Sequence, residues 1–394
     1  MGARREKPKK IRILTILVSV FLLLLAVVSV LFFRHVTGML PSQQAAARWS
    51  PDGGRVAQVT AYIPEHNGLT QDTVQRAIHA LRSGLLSEGI DPDDTDGGGV
   101  WTYAYSAQGV IELSSRYRGP ATVYATGVGG NFFLFNPVLL VSGSYFQQDS
   151  VNRDLVLLEE TLAWWLFGAT EVVGMTVYIG GAPHVISGVY RPHGDFASQA
   201  ATGEMSHMFL FYDALAAEAE FAPITNVQAV LPNPVSGVAE ELLGDAMEAA
   251  NLEEGAYVLI NNTDRYALRA LIDVARGFGI RSMRQMGFSL PQWENAARMA
   301  EDFAALALVL TLLFLIFPIL TALRLIVRAW RQRKWRFFRG ILRRWDNKRE
   351  QRREDAWRMQ SRETETLENE EMQYDLEEII RSVQKSEEEY EKDN

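Results

Sequence analysis

Two stretches of the chain, Ile13–Phe33 and Phe303–Leu323, carry no charge over 21 residues each. A helix rises about 1.5 Å per residue, so either run crosses roughly the 30 Å hydrocarbon layer of a bilayer. The pattern predicts membrane helices over 13–33 and 302–323. A secretory signal is the rival reading of the first run. Its apolar length exceeds the ~7–15 residues of a signal core, and the small-residue run Ala45-Ala46-Ala47 lies well beyond it. We therefore read it as an uncleaved anchor.

Between the two runs the periodicity changes. Ala57, Val59, Ala61 and Ile63 alternate as one face of a strand. Thr70 followed by Asp72 reads as a helix N-cap and first turn. Val74, Ile78, Leu81 and Leu85 recur at helical spacing, which predicts an amphipathic helix over 71–88. Asp91–Gly99 reads as a loop. Trp101–Ser106 and Val110–Ser115 read as a hairpin turning at Ala107-Gln108-Gly109, and Thr122–Val128 as a further strand. A second strand–helix–strand–helix passage follows at Thr225–Leu231, 235–250, Ala256–Asn261 and 264–278. Two such passages around a different middle predict an α+β domain with a β-rich insertion at about 135–220. From about Gln292 the pattern is helical again and runs into the second apolar stretch, with Pro318 near its inner end as a bend point.

Charge sets an orientation. Arg4, Arg5, Lys7, Lys9, Lys10 and Arg12 face one acid, Glu6, before the first run, and residues 324–353 hold 13 Lys or Arg against Asp346 and Glu350. Positive flanks stay in the cytoplasm. Residues 1–12 are thus expected to form a cytoplasmic basic arm, 324–353 a cytoplasmic basic segment, and 34–301 an extracytoplasmic domain. Residues 34–302 carry a net −15, with 15 arginines and no lysine. Such an acidic domain is a poor nucleic-acid binder, because phosphate contacts need clustered cations. In 324–353, Trp330, Phe337, Phe338, Ile341, Leu342 and Trp345 form an apolar stripe among arginines. It reads either as a helix lying on an anionic membrane surface or as a straight continuation of the membrane helix with snorkelling arginines. The acidic tail, 354–394, has Leu376, Ile380 and Val383 at helical spacing. It is either a short partner-binding helix or a solvated, partly disordered tail. With 47% hydrophobic residues and no cysteine, the composition excludes a collagen, a mainly disordered chain and a disulfide scaffold. It also excludes thiol catalysis and thiolate-bound metal.

Residues 136–190 are the most informative. Gly143 allows a turn before Tyr145 and Phe146, and Leu155–Leu158 is a short buried strand. Glu159 and Glu160 open a helix at its positive end. Leu162, Trp165 and Leu166 form its apolar face, with Gly168 as C-cap. Gly174 gives room to turn, and Thr176–Ile179 pairs with His184–Tyr190 across Gly180-Gly181. The joint pattern Gly143/Phe146, Leu155–Leu158, Leu166-Phe167-Gly168, Val173-Gly174 and Ile186-Ser187-Gly188-Val189 resembles the extracytoplasmic core domain of MacB-type ABC transporter permeases. That resemblance implies a MacB-like periplasmic core domain with a porter-like subdomain of strand–helix–strand units and an inserted second subdomain. It assigns no catalytic residue. Family permeases place one membrane helix before the domain and three after it, whereas one apolar run follows here. The sequence also lacks a GxxxxGK[ST] phosphate loop, and Gly127-Val128-Gly129-Gly130 has no lysine to replace it. The resemblance therefore implies a reduced, two-helix form that depends on a separate ABC ATPase and on a full permease or a second copy of itself.

Other chemistry reads as structural. Asp91-Pro92-Asp93-Asp94-Thr95-Asp96-Gly97 fails the EF-hand template, which would place Pro92 and Tyr103 where carboxylates are required; we read it as an acidic turn. His35, His66, His79, His184, His193 and His207 form no short-spaced metal motif. His193, Asp195 and His207 are read as ordinary hydrogen-bonding residues rather than metal ligands. Ser142-Gly143-Ser144 is a turn, since Gly-x-Ser-x-Gly does not occur. Glu159 and Glu160, adjacent on a helix, point about 100° apart and would not share a substrate. No catalytic, cofactor or metal site is expected. The expected function is a non-catalytic membrane subunit of a MacB-like ABC transport system. Its external domain would bind a substrate or partner, or transmit motion. The alternative is a bitopic sensor or regulator of a cell-envelope enzyme.

Overall fold

The computed structural model describes residues 7–51, 54–94, 99–278 and 289–390. It comprises two compact units, one formed by residues 1–20 with 316–394 and one by residues 21–315.

The first apolar run lies within α1 (Lys7–Gly38), and a short α2 (Ala45–Trp49) leads into β1 (Val56–Tyr62). Thr70 caps α3 (Gln71–Ser87) by accepting from the Thr73 N–H at 3.4 Å, and Val74, Ala77, Leu81 and Leu85 are buried along its inner face. β2 (Thr102–Ser114) and β3 (Ala121–Gly130) pair antiparallel from Ala104↔Gly130 to Leu113↔Ala121. The expected turn at Ala107-Gln108-Gly109 is absent, because β2 runs straight through it. All three residues pair with β3 in unbroken register, and Ala107 is the last residue that β2 pairs with its neighbour in the second strand–helix passage, after a register shift from Ser106. An irregularity in one ladder, not a hairpin, marks the start of this stretch.

The middle of the chain adds α4 (Phe132–Phe135), β4 (Leu139–Gly143), β5 (Leu155–Glu159), α5 (Glu160–Phe167), β6 (Thr176–Ile179), β7 (Ala182–Arg191), α6 (Phe196–Ala201), β8 (His207–Phe211) and α7 (Tyr212–Glu218). The β6–β7 hairpin turns on Gly180 and Gly181, both at positive φ (55° and 86°), as a two-residue turn of the primed type requires. Gly143 sits at φ 78°, and a Cβ there would meet the Ser187 carbonyl oxygen at 2.2 Å. Leu162, Ala163 and Leu166 form the inner face of α5. Trp165, expected on that face, is 43% exposed. Ala163 takes the inward position three residues before Leu166, and the Arg118 guanidinium lies over the Trp165 ring at 5.9 Å.

The chain then forms β9 (Ile224–Pro232), α8 (Val238–Ala249), β10 (Val258–Asn261), α9 (Leu268–Arg276) and α10 (Gln292–Tyr390). α10 carries the second apolar run, continues helically through Pro318, and includes the acidic tail as far as Tyr390. The tail is therefore helical there rather than irregular. α1 and α10 are both long and apolar enough to cross a membrane, over Ile13–Gly38 and within Gln292–Arg331. In the smaller unit the Ser19 and Thr321 hydroxyls meet at 3.0 Å.

All ten strands share one sheet in the order β10-β1-β9-β2-β3-β8-β5-β7-β4. β6 pairs with both β2 and β7, so β2, β3, β8, β5, β7 and β6 close into a ring. The inner half of β2 pairs with β9, and its outer end with β6. One core cluster runs from the helix-covered face of the open sheet (Val59, Leu81, Leu85, Leu243) into the ring (Leu113, Val156, Val177, Met208). A second gathers Phe132, Phe135, Phe146, Phe209 and Phe211. A third joins Val36 and Leu40 at the end of α1 to Leu271 and Val274 of α9 and to Ala296, Ala297, Ala300 and Ala304 of α10. Alanines on that helix face let the backbones approach closely.

Candidate functional site

β1 positions the first part of this site. Its residues alternate as expected, with Ala57, Val59 and Ala61 in the main core. The opposite face carries Gln58, Thr60 and Tyr62, and these are buried as well. The Gln58 side chain accepts from the Ala45 N–H (2.9 Å) and donates to the Ser42 carbonyl (2.7 Å). The Thr60 hydroxyl donates to Asn262 Oδ1 (2.7 Å), and Asn262 Nδ2 donates to Gln43 Oε1 (2.8 Å). These polar bonds lead to Arg265, in the turn between β10 and α9. Arg265 Nη1 donates to Gln43 Oε1 (3.0 Å) and Glu294 Oε2 (2.8 Å), Nη2 to Glu294 Oε1 (2.5 Å), and Nε to Glu301 Oε1 (2.6 Å). Arg298 Nε donates to the same Glu294 oxygen at 3.0 Å.

Arg265, Glu294, Arg298 and Glu301 are all buried, and two guanidinium groups balance two carboxylates. Burial alone would lower the pKa of Arg265; Glu294 and Glu301 outweigh it and hold the group well above the ordinary arginine value. The Tyr62 hydroxyl lies near Glu294 without closing a hydrogen bond of good geometry. Burial first, then the Glu294 charge, push its pKa well up. A buried bidentate pair of this kind fixes geometry more surely than it adds stability. Here it ties the end of β10 and the underside of β1 to the first three turns of α10, the helix that contains the second apolar run.

Beside the network lies a cleft of about 810 Å³, counting its open mouth. Leu40, Pro41 and Ser42, just after α1, line one side with Gln292, Trp293 and Ala296 of α10. Asn136–Val138, Tyr190, Pro192, His193, Ser198, Thr202 and Phe209 also line it, as do Gln108, Glu159 and His207. His207 is buried. Its Nδ1 meets the Tyr190 hydroxyl at 2.6 Å and its Nε2 the Thr126 hydroxyl at 2.8 Å, and its backbone N–H donates to Glu159 Oε2 at 2.9 Å. Burial drops its pKa to about 3, so the ring is neutral. Burial, then the nearby Glu159 charge, raise the Tyr190 hydroxyl well above the ordinary tyrosine range. Asn136 Nδ2 donates to Gln228 Oε1 at 2.6 Å, while Asn136 Oδ1 and Trp293 Nε1 are buried with no hydrogen-bond partner among the described residues.

The residues singled out in the sequence are dispersed or structural. Glu159 is the N-cap of α5 and Glu160 its first residue, and they point apart: Glu159 accepts from the Thr161 hydroxyl and His207, while Glu160 takes Arg191 in a bidentate pair at 2.7 and 2.9 Å. The Arg191 hydrogen bond lowers the Glu160 pKa. His193 Nε2 donates to the Pro137 carbonyl (2.8 Å), and Asp195 caps α6 through the Ala197 and Ser198 N–H groups. Both His193 and His207 border the cleft, but among the described residues no group of three His, Asp or Glu is arranged to hold a metal ion. Of the acidic turn, Thr95–Gly98 lie outside the described residues; Asp93 pairs with Arg82. The buried network was missed in sequence because Arg265, Glu294 and Arg298 look like any surface charges. The one hint was Glu294–Arg298 at helical i,i+4 spacing beside three alanines.

Residues 13–250 match the family model described as the MacB-like periplasmic core domain. No curated protein matches the chain. Among solved structures, the periplasmic region of MacB from Actinobacillus actinomycetemcomitans is similar at 14% identity, covering 54% of this chain and 91% of that one, with a TM-score of 0.36. The extracellular domain of the noncanonic ABC-type transporter YknZ from Gram-positive bacteria is similar at 18% identity, covering 52% and 100%, with a TM-score of 0.32. The family match spans more than half of the sequence and includes the Gly143–Val189 pattern, so the chain belongs to the MacB-like periplasmic core domain family.

Proposed function

We propose that this chain is a non-catalytic membrane subunit of an ABC transport system whose external domain passes movement between the membrane and the outside. Family membership supports the coarser part, a component of a membrane transport system. The finer reading rests on one observation, the buried Arg265–Glu294–Arg298–Glu301 network between the sheet and the start of α10. A displaced α10 would carry β1 and β10 with it, because breaking a buried ion pair costs more than shifting the domain as a body. In this reading the basic flanks lie in the cytoplasm and residues 34–301 outside. A separate ATPase supplies the energy, and two membrane helices enclose no hydrophilic path without further helices.

The test is co-purification with a partner ATPase in native membranes, followed by a spin label on Val151→Cys, a fully exposed external position. Nucleotide should change the label's accessibility to a water-soluble relaxation agent. Arg265→Met should abolish that response while co-purification persists. A complex containing this chain alone, or a response indifferent to Arg265, would refute the proposal.

A further inference from the structure

The outer face of α5 and the turn between β2 and β3 share a surface that the coupling role does not use. Trp164 and Trp165, off the buried face of α5, are 56% and 43% exposed, and Tyr117 of the turn is 74% exposed. Contacts join the two elements: the Arg118 guanidinium lies over the Trp165 ring at 5.9 Å, and the Tyr117 ring meets Phe167 edge-on at 6.0 Å. The turn is also held in place. Ser115 Oγ donates to the Leu166 carbonyl (3.2 Å) and accepts from the Tyr117 and Arg118 N–H groups (3.2 and 3.1 Å). The Ser115 N–H donates to the Arg118 carbonyl at 3.1 Å. Arg116, Tyr117 and Arg118 therefore stand on a fixed backbone, which lowers the ordering cost of binding. Trp, Tyr and Arg are the residue types that anchor protein interfaces.

The charges select the kind of partner. Arg116 donates to the Tyr178 hydroxyl at 3.3 Å and Arg118 rests on a ring, and neither has a carboxylate partner among the described residues. They stand so although residues 34–302 carry a net −15. A carboxylate fits the fork of a guanidinium in two parallel bonds. An anionic membrane is the poorer fit, because such surfaces take clusters of about 4–8 basic residues and the acidic remainder of the domain repels them.

We infer that this patch docks a short acidic segment of a partner protein, its carboxylates on Arg116 and Arg118 and an apolar side chain against Trp165 and Tyr117. The inference needs neither a partner ATPase nor movement through the Arg265 network. It is tested on the full chain in cells, with the photocrosslinker p-benzoylphenylalanine placed at Gly119 of the same turn, where an added Cβ meets nothing within 4 Å. The same probe at Val151, also fully exposed, is the control. Irradiation should link position 119 to one other protein at least fivefold above the control. Peptide mass spectrometry should place the link in a segment with more Asp and Glu than Lys and Arg. Arg116→Glu with Arg118→Glu should cut that adduct at least fivefold, with folding checked by thermal unfolding, and the milder pair Arg116→Gln with Arg118→Gln should do the same if the first misfolds. A yield no higher than the control, a link to a neutral or basic segment, adducts only to lipid, polysaccharide or a second copy of this chain, or an adduct indifferent to the charge-changing pair that folds would each overturn the proposal.

Discussion

Replacing Arg265 by methionine keeps most of the side-chain volume and removes one charge. Glu294 would then keep its bond from Arg298 Nε but lose both from Arg265, and Glu301 would lose its 2.6 Å bond from Arg265. All three remaining groups are buried, so a net negative charge would be stranded in a water-poor site. Removing one partner of such a pair costs about 3–5 kcal/mol. For a unit of this size that is a fall in Tm of roughly 6–20 °C. Arg265→Met combined with Glu294→Gln restores the charge balance between Arg298 and Glu301. The double variant should therefore lose less than the sum of the singles, by about 1–3 kcal/mol of coupling. The assay is thermal unfolding of the full chain in one detergent, followed by near-UV circular dichroism. Additive single losses, or a loss below about 1 kcal/mol for Arg265→Met, would show that the network is solvated and the reasoning wrong.

Other outcomes follow from the same structure. The His207 pKa is about 3 in the folded chain against an ordinary 6.5, so the unfolded state binds the extra proton between these values. Stability should fall as pH drops through that window, by at most about 1.4 kcal/mol per pH unit from this residue, and His207→Gln should flatten the slope relative to the parent. Gly143→Ala should destabilise by more than about 2 kcal/mol, because it adds a clash with the Ser187 carbonyl to a positive φ. Gly181→Ala, at positive φ in open space, should cost only the ~1–2 kcal/mol of conformation; chemical denaturation of the two variants separates the terms. The chain has no cysteine, so single cysteines report topology without background. Val151→Cys should react with a membrane-impermeant maleimide on intact cells and Trp357→Cys only after permeabilisation, and the opposite result would invert the proposed orientation.

Much of the fold was legible because local rules act alone there. Thr70, Gly168 and the Gly180-Gly181 pair each impose a local conformation that no tertiary contact overrides. The straight run of β2 was not legible: its Ala-Gln-Gly stretch has the composition of a turn, and only the exchange of β9 for β6 as neighbour explains it. Trp165 was misplaced because the inward face is set by Leu166 with its i−4 and i−3 neighbours Leu162 and Ala163, and Trp165 lies off that face. The buried polar network was hidden for a different reason. Gln58, Thr60, Asn262 and Arg265 are polar residues whose partners lie up to 222 positions away. Burial of polar groups by mutual satisfaction leaves no periodic trace.

The ring and the open sheet hold β2 and β3 in common, and this limits how the molecule can be taken apart. Excising the segment between α4 and α7 would bare the edge of β3 that β8 covers and the outer end of β2 that β6 covers, templates for another chain and an invitation to fibres. Whatever swaps one relative's ring for another's, in a laboratory graft or through gene recombination, must carry the outer stretches of those two ribbons along with it. The heritable module is therefore wider than the loop it looks like on paper.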